Sequence, residues 1–351
     1  LRERCGDLSN YWYAAAQSQQ VSAKKPFGCV VLGEMLVLWR TRAGTPVAMR
    51  DRCLHRNAPL SKGELFDDCI GCPYHGWTYS PAGDCVNVPS EGPDGRAQPG
   101  KRVRTFPCEE RDGLVWVWLG EQSPEALPDR RPFAMPHHGE KGWGSYTMET
   151  RFPNSVTNLV ENFMDVPHTV WVHRGWFRDR KRKRVGAKVE RTATSVLVTY
   201  DQPNDSIGFS NRLLNPRGLP MTHTDHFYMP STTRVDYVFG DEHTAFVITS
   251  TCTPVDDMET HVFTRISFKL GMWNRLARLL LPPYTRKVIQ QDVDVMDMQG
   301  RALKHYGGRT EFNSTPADRL HVYIESLRNF AARGNRGEKP RSEVSNIEFW
   351  I

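Results

Sequence analysis

The chain has 351 residues, 39% hydrophobic and 25% charged, enough to bury a full core and too long for one ordinary small domain. Its 46 basic residues exceed its 40 acidic ones only mildly, giving a net charge of +6, and no segment reaches the roughly 18–20 apolar residues that span a bilayer. Eight unevenly spaced cysteines do not make the dense disulfide framework of a short secreted domain; they suit a reduced, intracellular chain with metal-binding cysteines.

The reading is a cytoplasmic protein; because the chain starts at Leu1 rather than Met, a removed targeting peptide is left open. Between residues 28 and 120, stretches such as "FGCVVLGEMLVLWR", "TPVAMRDR" and "GLVWVWLG" read as short strands bounded by Gly, Pro and Asp. We expect an all-β domain over 10–125 and a proline-punctuated linker over 126–143.

Within the first region lies "DRCLHRNAPLSKGELFDDCIGCPYHGWTY", which pairs Cys53 with His55 and Cys72 with His75. Zinc is the natural rival for such a quartet, but structural zinc sites present like ligands in each tight pair. Mixed pairs, Cys-x-His and Cys-x2-His, suit a [2Fe–2S] cluster with thiolates on one iron and imidazoles on the other, the Rieske pattern. Neutral imidazoles make the outer iron easier to reduce. Trp77 and Tyr79 can shield the cluster, and Cys69 fits neither pair and reads as a spare thiol.

From 144 to 351 the pattern is α+β. "SYTMETRF" reads as a strand, followed by a helix near 155–164 and alternating strands such as "AKVERTATSVLVTY", "TRVDYVF" and "HVFTRISFKL". A helical stretch from Trp273 to Lys304 is expected to kink or stop at Pro282-Pro283, and a last helix at Gly334.

This half opens with "NLVENFMDVPHTVWVH", holding Asn162, Asp165, His168 and His173. On a regular helix, residues five apart lie about 140° apart, so both histidines reach one ion only if the helix breaks, and Pro167 is placed to break it. "VIQQDVDVMDMQG" offers Asp292, Asp294 or Asp297 as a third ligand. Two histidines and one carboxylate on one face suit non-haem Fe(II), with positions left open.

Together the motifs C-x-H-x16-C-x2-H, N-x2-D-x2-H-x4-H and a late aspartate resemble the catalytic α subunit of the Rieske non-haem iron oxygenases. The compact N-x2-D spacing is closer to the monooxygenase and demethylase branch. The resemblance implies an N-terminal all-β Rieske domain and a C-terminal helix-grip-like domain, its antiparallel sheet covered by helices. It implies that Cys53, His55, Cys72 and His75 hold the cluster. It also implies that His168, His173 and Asp292 hold a mononuclear Fe(II), with Asp294 and Asp297 as alternatives for the third ligand. Asp165 would bridge a cluster histidine of one subunit (His75) to a ligating histidine of its neighbour (His168), which implies a head-to-tail homotrimer. Asn162 would support the site by hydrogen bonding.

The implied reaction is monooxygenation, hydroxylation or oxidative demethylation, of an aromatic, heterocyclic or terpenoid-like small molecule, with dioxygenation also possible. No G-x-G-x-x-G follows a strand, so electrons for O2 must come from NAD(P)H through a separate reductase or ferredoxin. No nucleic acid and no membrane partner is expected. The rival reading is a Rieske electron carrier without oxygenase activity. The basic block Arg178, Arg180, Lys181, Arg182, Lys183 and Arg184 reads either as a solvated loop or as a docking patch for an acidic redox partner.

Overall fold

The computed structural model describes residues 6–92, 100–173, 183–201, 215, 218–240, 244–307 and 311–351. It divides into two compact units between Ala134 and Met135.

The first unit holds three small antiparallel sheets. β1 (Trp12–Gln17) pairs with the strand Leu114–Trp118, whose five residues are all buried, because the pair sits in the interior with Trp12 set edge-on against Trp118. A second sheet contains β2 (Phe27–Val31), β3 (Glu34–Arg40) and β4 (Pro46–Arg50). The third is built from β5 (Glu64–Phe66), β6 (Cys69–Gly71), β7 (Thr78–Tyr79) and β8 (Cys85–Asn87), only two or three residues each. Strands this short do not persist alone. A buried cluster that includes Trp39, Leu60, Ile70, Tyr79, Cys53 and Cys72 packs them.

Among the described residues, the second unit is one eight-stranded antiparallel sheet carrying three helices. Its strands in chain order are Gly144–Phe152, Arg184–Arg191, Ser195–Asp201, Met221–Tyr228, Thr232–Phe239, Thr244–Asp256, Glu259–Lys269 and Glu343–Trp350. The final strand has no counterpart in the sequence reading. It is an edge strand on Arg184–Arg191, and only Ile347 is buried, so its hydrophobic alternation is weak. Of the basic block, Arg178, Arg180, Lys181 and Arg182 lie outside the described residues, while Lys183 and Arg184 start this edge and Arg184 pairs with Glu348.

α1 (Val156–Met164) is capped by the Ser155 hydroxyl, which accepts from the Asn158 backbone N–H. Its buried residues Val156, Leu159, Val160 and Met164 fall at helical spacing and face the sheet. Each fully buried side chain of this kind contributes about 1.5–3 kcal/mol. α2 (Asn274–His305) runs through Pro282 and Pro283 as one helix, so of the expected kink or stop the stop does not occur. The N–H groups lost at the prolines would have met the carbonyls of Arg278 and Leu279, exposed positions where water can serve instead. The Thr285 hydroxyl donates back to the Leu281 carbonyl at 2.9 Å. α3 (Arg319–Ala332) covers the same sheet through Leu320, Tyr323, Ile324 and Leu327.

α1 and α2 are fastened together at one end. Asn154 donates to the Met296 carbonyl and to Gln299 Oε1, both at 2.9 Å. Gly300 lets the backbones approach: a Cβ there would lie 2.3 Å from the Pro153 carbonyl oxygen. Among the described residues no helix is long and apolar enough to cross a membrane.

Candidate metal centres

In the first unit, two tight loops present the Cys/His pairs. The first follows β4: Cys53 N–H donates to Ala58 O, Asn57 N–H donates back to Cys53 O, and Asn57 takes a φ of 62°. The second joins β6 to β7: Cys72 N–H donates to Trp77 O and Gly76 N–H to Cys72 O, with Gly76 at φ 72°. Both cysteines therefore sit at the loop bases and are buried, while His55 is half-buried and His75 exposed nearer the tips. The imidazoles lie with ring centroids 4.5 Å apart, and Trp77 stacks on His55 at 4.9 Å. The Tyr79 hydroxyl is 3.2 Å from Cys53 Sγ and accepts from Leu54 N–H at 3.1 Å.

Two observations bear on what these four residues could hold. His55 Nδ1 is buried without a protein hydrogen-bond partner, an arrangement that costs free energy unless a ligand takes it up. Among the described residues, the group of three or more ligating atoms lying mutually within 4.8 Å is His168, His173 and Asp292. The Cys/His quartet does not contract to that size, as a single tetrahedral zinc would require, and its wider spread fits a two-iron cluster. Burial pushes the Cys72 thiol up, while backbone N–H groups of Tyr74 and His75 aimed at it work in the other direction and would stabilise a thiolate. Cys69 stands apart on β6, where burial and then Asp68 and Asp67 raise its thiol.

In the second unit, α1 stops at Met164, and a 3-10 turn over Pro167–Val170 redirects the chain. That turn brings together histidines that a continuous helix would splay. His168 Nε2 lies 3.3 Å from His173 Nε2, and the two stand 3.5 and 3.2 Å from Asp292 Oδ1. A metal bonded at about 2.1–2.2 Å holds neighbouring facial ligands about 3 Å apart, so the triangle matches a facial triad. Of the three candidate aspartates Asp292 alone joins it: Asp294 accepts from Gln290 at 2.8 Å, and Asp297 pairs with Arg301. Burial would raise the Asp292 carboxyl, but hydrogen bonds from His168 and His173 outweigh it and hold it down to about 2. It is thus an anion in the core, on the face that α2 otherwise fills with Ala277, Leu281, Met296 and Gly300.

Surrounding groups fix the triad. Asn162 donates to Asp292 Oδ1 at 3.3 Å. Gln291 Oε1 lies 2.9 Å from His173 Nδ1, and accepting that N–H leaves the Nε2 lone pair facing the triangle. The sequence reading did not single out Gln291; its position beside Asp292 was the available signal. Asp165 closes α1 and lies 3.7 Å from His168 Nδ1, beyond hydrogen-bonding range, and that nitrogen is buried without a partner.

The triad forms one end of a cavity of about 140 Å³. Its sheet wall comes from alternate residues of three adjacent strands: Thr233, Val235 and Tyr237, then Phe246, Ile248 and Ser250, then Thr264 and Ile266. Leu281, Tyr284, Val288 and Ile289 of α2 close the other side. Polar groups gather in a hydroxyl row, Thr233, Ser250 and Thr264, with Ser250 and Thr264 at 3.1 Å. Outside the triad, no described lining residue is charged.

Of residues 211–230, none that is described lines the cavity. Their strand instead carries a separate buried network: His223 donates to Asp225 at 2.9 Å, Tyr200 donates to the other Asp225 oxygen at 2.8 Å, and His223 is stacked between Tyr200 and Tyr237.

Residues 11–107 match the Rieske [2Fe-2S] domain, and residues 155–328 match the vanillate O-demethylase oxygenase C-terminal domain. The chain is 37% identical over 166 residues to a putative toluene-4-sulfonate monooxygenase iron-sulfur subunit of Comamonas testosteroni, covering 47% of this chain and 46% of that protein. It is 35% identical over 353 residues to chlorophyllide a oxygenase of Chlamydomonas reinhardtii, covering 96% of this chain and 51% of that protein. The chain thus spans about half the length of the curated relatives it matches. The fold is shared with dicamba monooxygenase bound to dicamba, at a TM-score of 0.80, 23% identity and coverage of 93% of this chain and 98% of that one.

Proposed function

The chain belongs to the Rieske non-haem iron oxygenases, and from that premise we propose that it is the terminal oxygenase of a redox system acting on a neutral, largely apolar small molecule. The observation that carries the proposal is the facial triad His168, His173 and Asp292 at the end of an apolar cavity, in a chain that also carries a Rieske domain. An electron carrier needs no such triad beside a cavity, so the oxygenase reading is preferred to a pure electron-transfer protein.

In this reading Cys53, His55, Cys72 and His75 hold the cluster, and His168, His173 and Asp292 hold ferrous iron. Residues 10–125 act as the Rieske domain, 126–143 as the linker and 144–351 as the catalytic domain. When bound, the cluster supplies electrons one at a time and the ferrous ion supplies the centre for O2 reduction. The net change adds one oxygen atom of O2 to a C–H bond, the other leaving as water after uptake of two electrons and two protons. Where the carbon bears O or N, the hydroxylated product collapses to the demethylated compound and an aldehyde.

The chain's own residues position and exclude. Asn162 restrains the Asp292 carboxylate, Gln291 fixes the His173 tautomer, and the Val235, Ile248, Ile266 and Val288 side chains keep water from the reacting carbon. A polar substituent can bond to the hydroxyl row. An anionic substituent would find no cation among the described lining residues, which separates this cavity from one built for a sulfonate or carboxylate.

Electrons arrive from NAD(P)H through a separate reductase or ferredoxin. Asp165 of one chain would bridge exposed His75 of a neighbour to its own His168, offering a path between the two metal centres in a head-to-tail homotrimer. One observation favours a larger substrate of which only an edge enters the cavity. An alignment covering 96% of the chain, catalytic half included, is to a chlorophyllide a oxygenase.

The test is substrate-dependent O2 uptake, with product mass, by reconstituted protein. The panel holds neutral aromatic methyl ethers, their carboxylate and sulfonate analogues, and chlorophyllide a. Turnover of neutral ligands or of chlorophyllide a is expected; turnover confined to small anions would refute the substrate class. Asp165→Asn should keep both metals and lose turnover, and full turnover would refute the bridge.

A further inference from the structure

α2 begins with an exposed apolar face that the proposed reaction does not use. Met272 is 87% exposed, Leu279 72%, Trp273 59%, Leu280 49% and Leu276 46%. Single exposed hydrophobics are ordinary, but five within nine residues are not. Met272 and Trp273 sit in the 3-10 turn that leads into α2, and at about 100° per residue Leu276, Leu279 and Leu280 fall within one arc of about 100°, away from the buried face of Ala277, Leu281 and Thr285. Exposed Arg275, Arg278 and Arg286 follow along one flank, and the sequence holds no Asp or Glu between Gly271 and Gln291. The helix thus has three faces: one in the core, one apolar and open, and one purely cationic.

We propose that this helix start is a docking surface for an anionic lipid bilayer, with Trp273, Leu276, Leu279 and Leu280 entering the headgroup boundary and the arginines pairing with lipid phosphates. An exposed tryptophan among leucines with arginines beside them is the composition of helices that lie in a membrane interface. Over residues 271–291 the sequence offers arginines and lysine and no acid, so an anionic lipid surface complements this face in charge as well as in apolarity. Such a helix lies on the bilayer and needs none of the length of a spanning one.

The placement has a consequence for the cavity. Leu281, Tyr284 and Val288, the next turns of the same helix, line it, so a lipid-dissolved substrate would have an apolar route along α2 toward Asp292. That consequence rests on the oxygenase reading; the lipid contact does not.

The experiment is flotation of the iron-loaded protein with vesicles of phosphatidylcholine alone and of phosphatidylcholine with about one-third phosphatidylglycerol. Wild type should float with the anionic vesicles and less with the neutral ones. R275Q/R278Q should weaken anionic binding by about thirtyfold. L279E/L280E should lose binding to both vesicles by more than about tenfold while retaining the cluster absorbance. Wild type that stays unbound on anionic vesicles, or floats no better than L279E/L280E, overturns the proposal. So does a lipid-free assembly of wild type that L279E/L280E dissociates while neither floats, which would make the face a contact between copies. Since flotation needs no turnover, failure here leaves the oxygenase reading untouched, and failure of turnover leaves this one untouched.

Discussion

Replacing Gln291 with Leu removes the 2.9 Å acceptor of His173 Nδ1 while keeping the side-chain volume near that of the amide. His173 is only 4% exposed, so water does not readily replace the lost oxygen. A buried polar group deprived of a partner costs about 1–3 kcal/mol. The protein can reduce that cost by turning the ring or moving its proton to Nε2, and either change removes a ligand lone pair from the triangle. The penalty therefore falls on metal binding, and about 1.4–2.7 kcal/mol corresponds to the 10–100-fold loss of affinity usual when an orienting partner is removed. The assay is iron retained after dialysis against graded chelator, with the cluster absorbance of the same sample as internal standard. Q291L should release the mononuclear iron at about 10–100-fold lower chelator while the cluster signal is unchanged. Q291E, which keeps an acceptor, should retain more iron than Q291L. If Q291L holds iron within a factor of about two of wild type, the tautomer argument is refuted.

Asp292→Ala should empty the mononuclear site and spare the cluster spectrum, whereas Asp294→Ala, which breaks only the bond from Gln290, should leave iron content near wild type; the reverse outcome would move the ligand. Tyr79→Phe removes a hydroxyl 3.2 Å from Cys53 Sγ and should lower the cluster's reduction potential, because a hydrogen bond to sulfur stabilises the more negative reduced state; an unchanged potential in a redox titration would refute that role. Glu161 is pushed up to about 7 from 4.5 by burial, then by Glu325, Asp318 and Asp165 against Arg328. A carboxyl raised by folding binds its proton more tightly in the folded chain, so stability falls as pH rises from about 4.5 to 7, by at most about 3 kcal/mol. Glu161→Gln should therefore be nearly neutral in denaturant unfolding below pH 5 and stabilising at pH 8; equal effects at both pH values would contradict the assignment.

Sequence spacing alone determined the groups that short loops bring together. Cys53 and His55, and Cys72 and His75, are separated by only one and two intervening residues, and a turn closed by backbone hydrogen bonds leaves little freedom in how such a pair projects. His168 and His173 were legible for the same reason, once Pro167 was recognised as ending the helix. Strand alternation and helix periodicity likewise marked the long strands and α1, because burial of one face imposes those periods on the sequence.

Tertiary structure alone decided what depends on contacts between distant segments. Three aspartates within six residues offered the same chemistry, and only the family resemblance favoured Asp292 among them. The rotation of α2 turns Asp292 into the core and leaves Asp294 with Gln290 and Asp297 with Arg301. Gln291 acquired a partner 118 positions away, and the cavity wall drew on three adjacent strands of the sheet together with α2. The continuity of α2 through two prolines depended on solvent at Arg278 and Leu279, and the last strand on an edge offered by Arg184–Arg191. Local spacing fixes chemistry that one turn can close, while the packing of helix on sheet selects among chemically equivalent residues by direction.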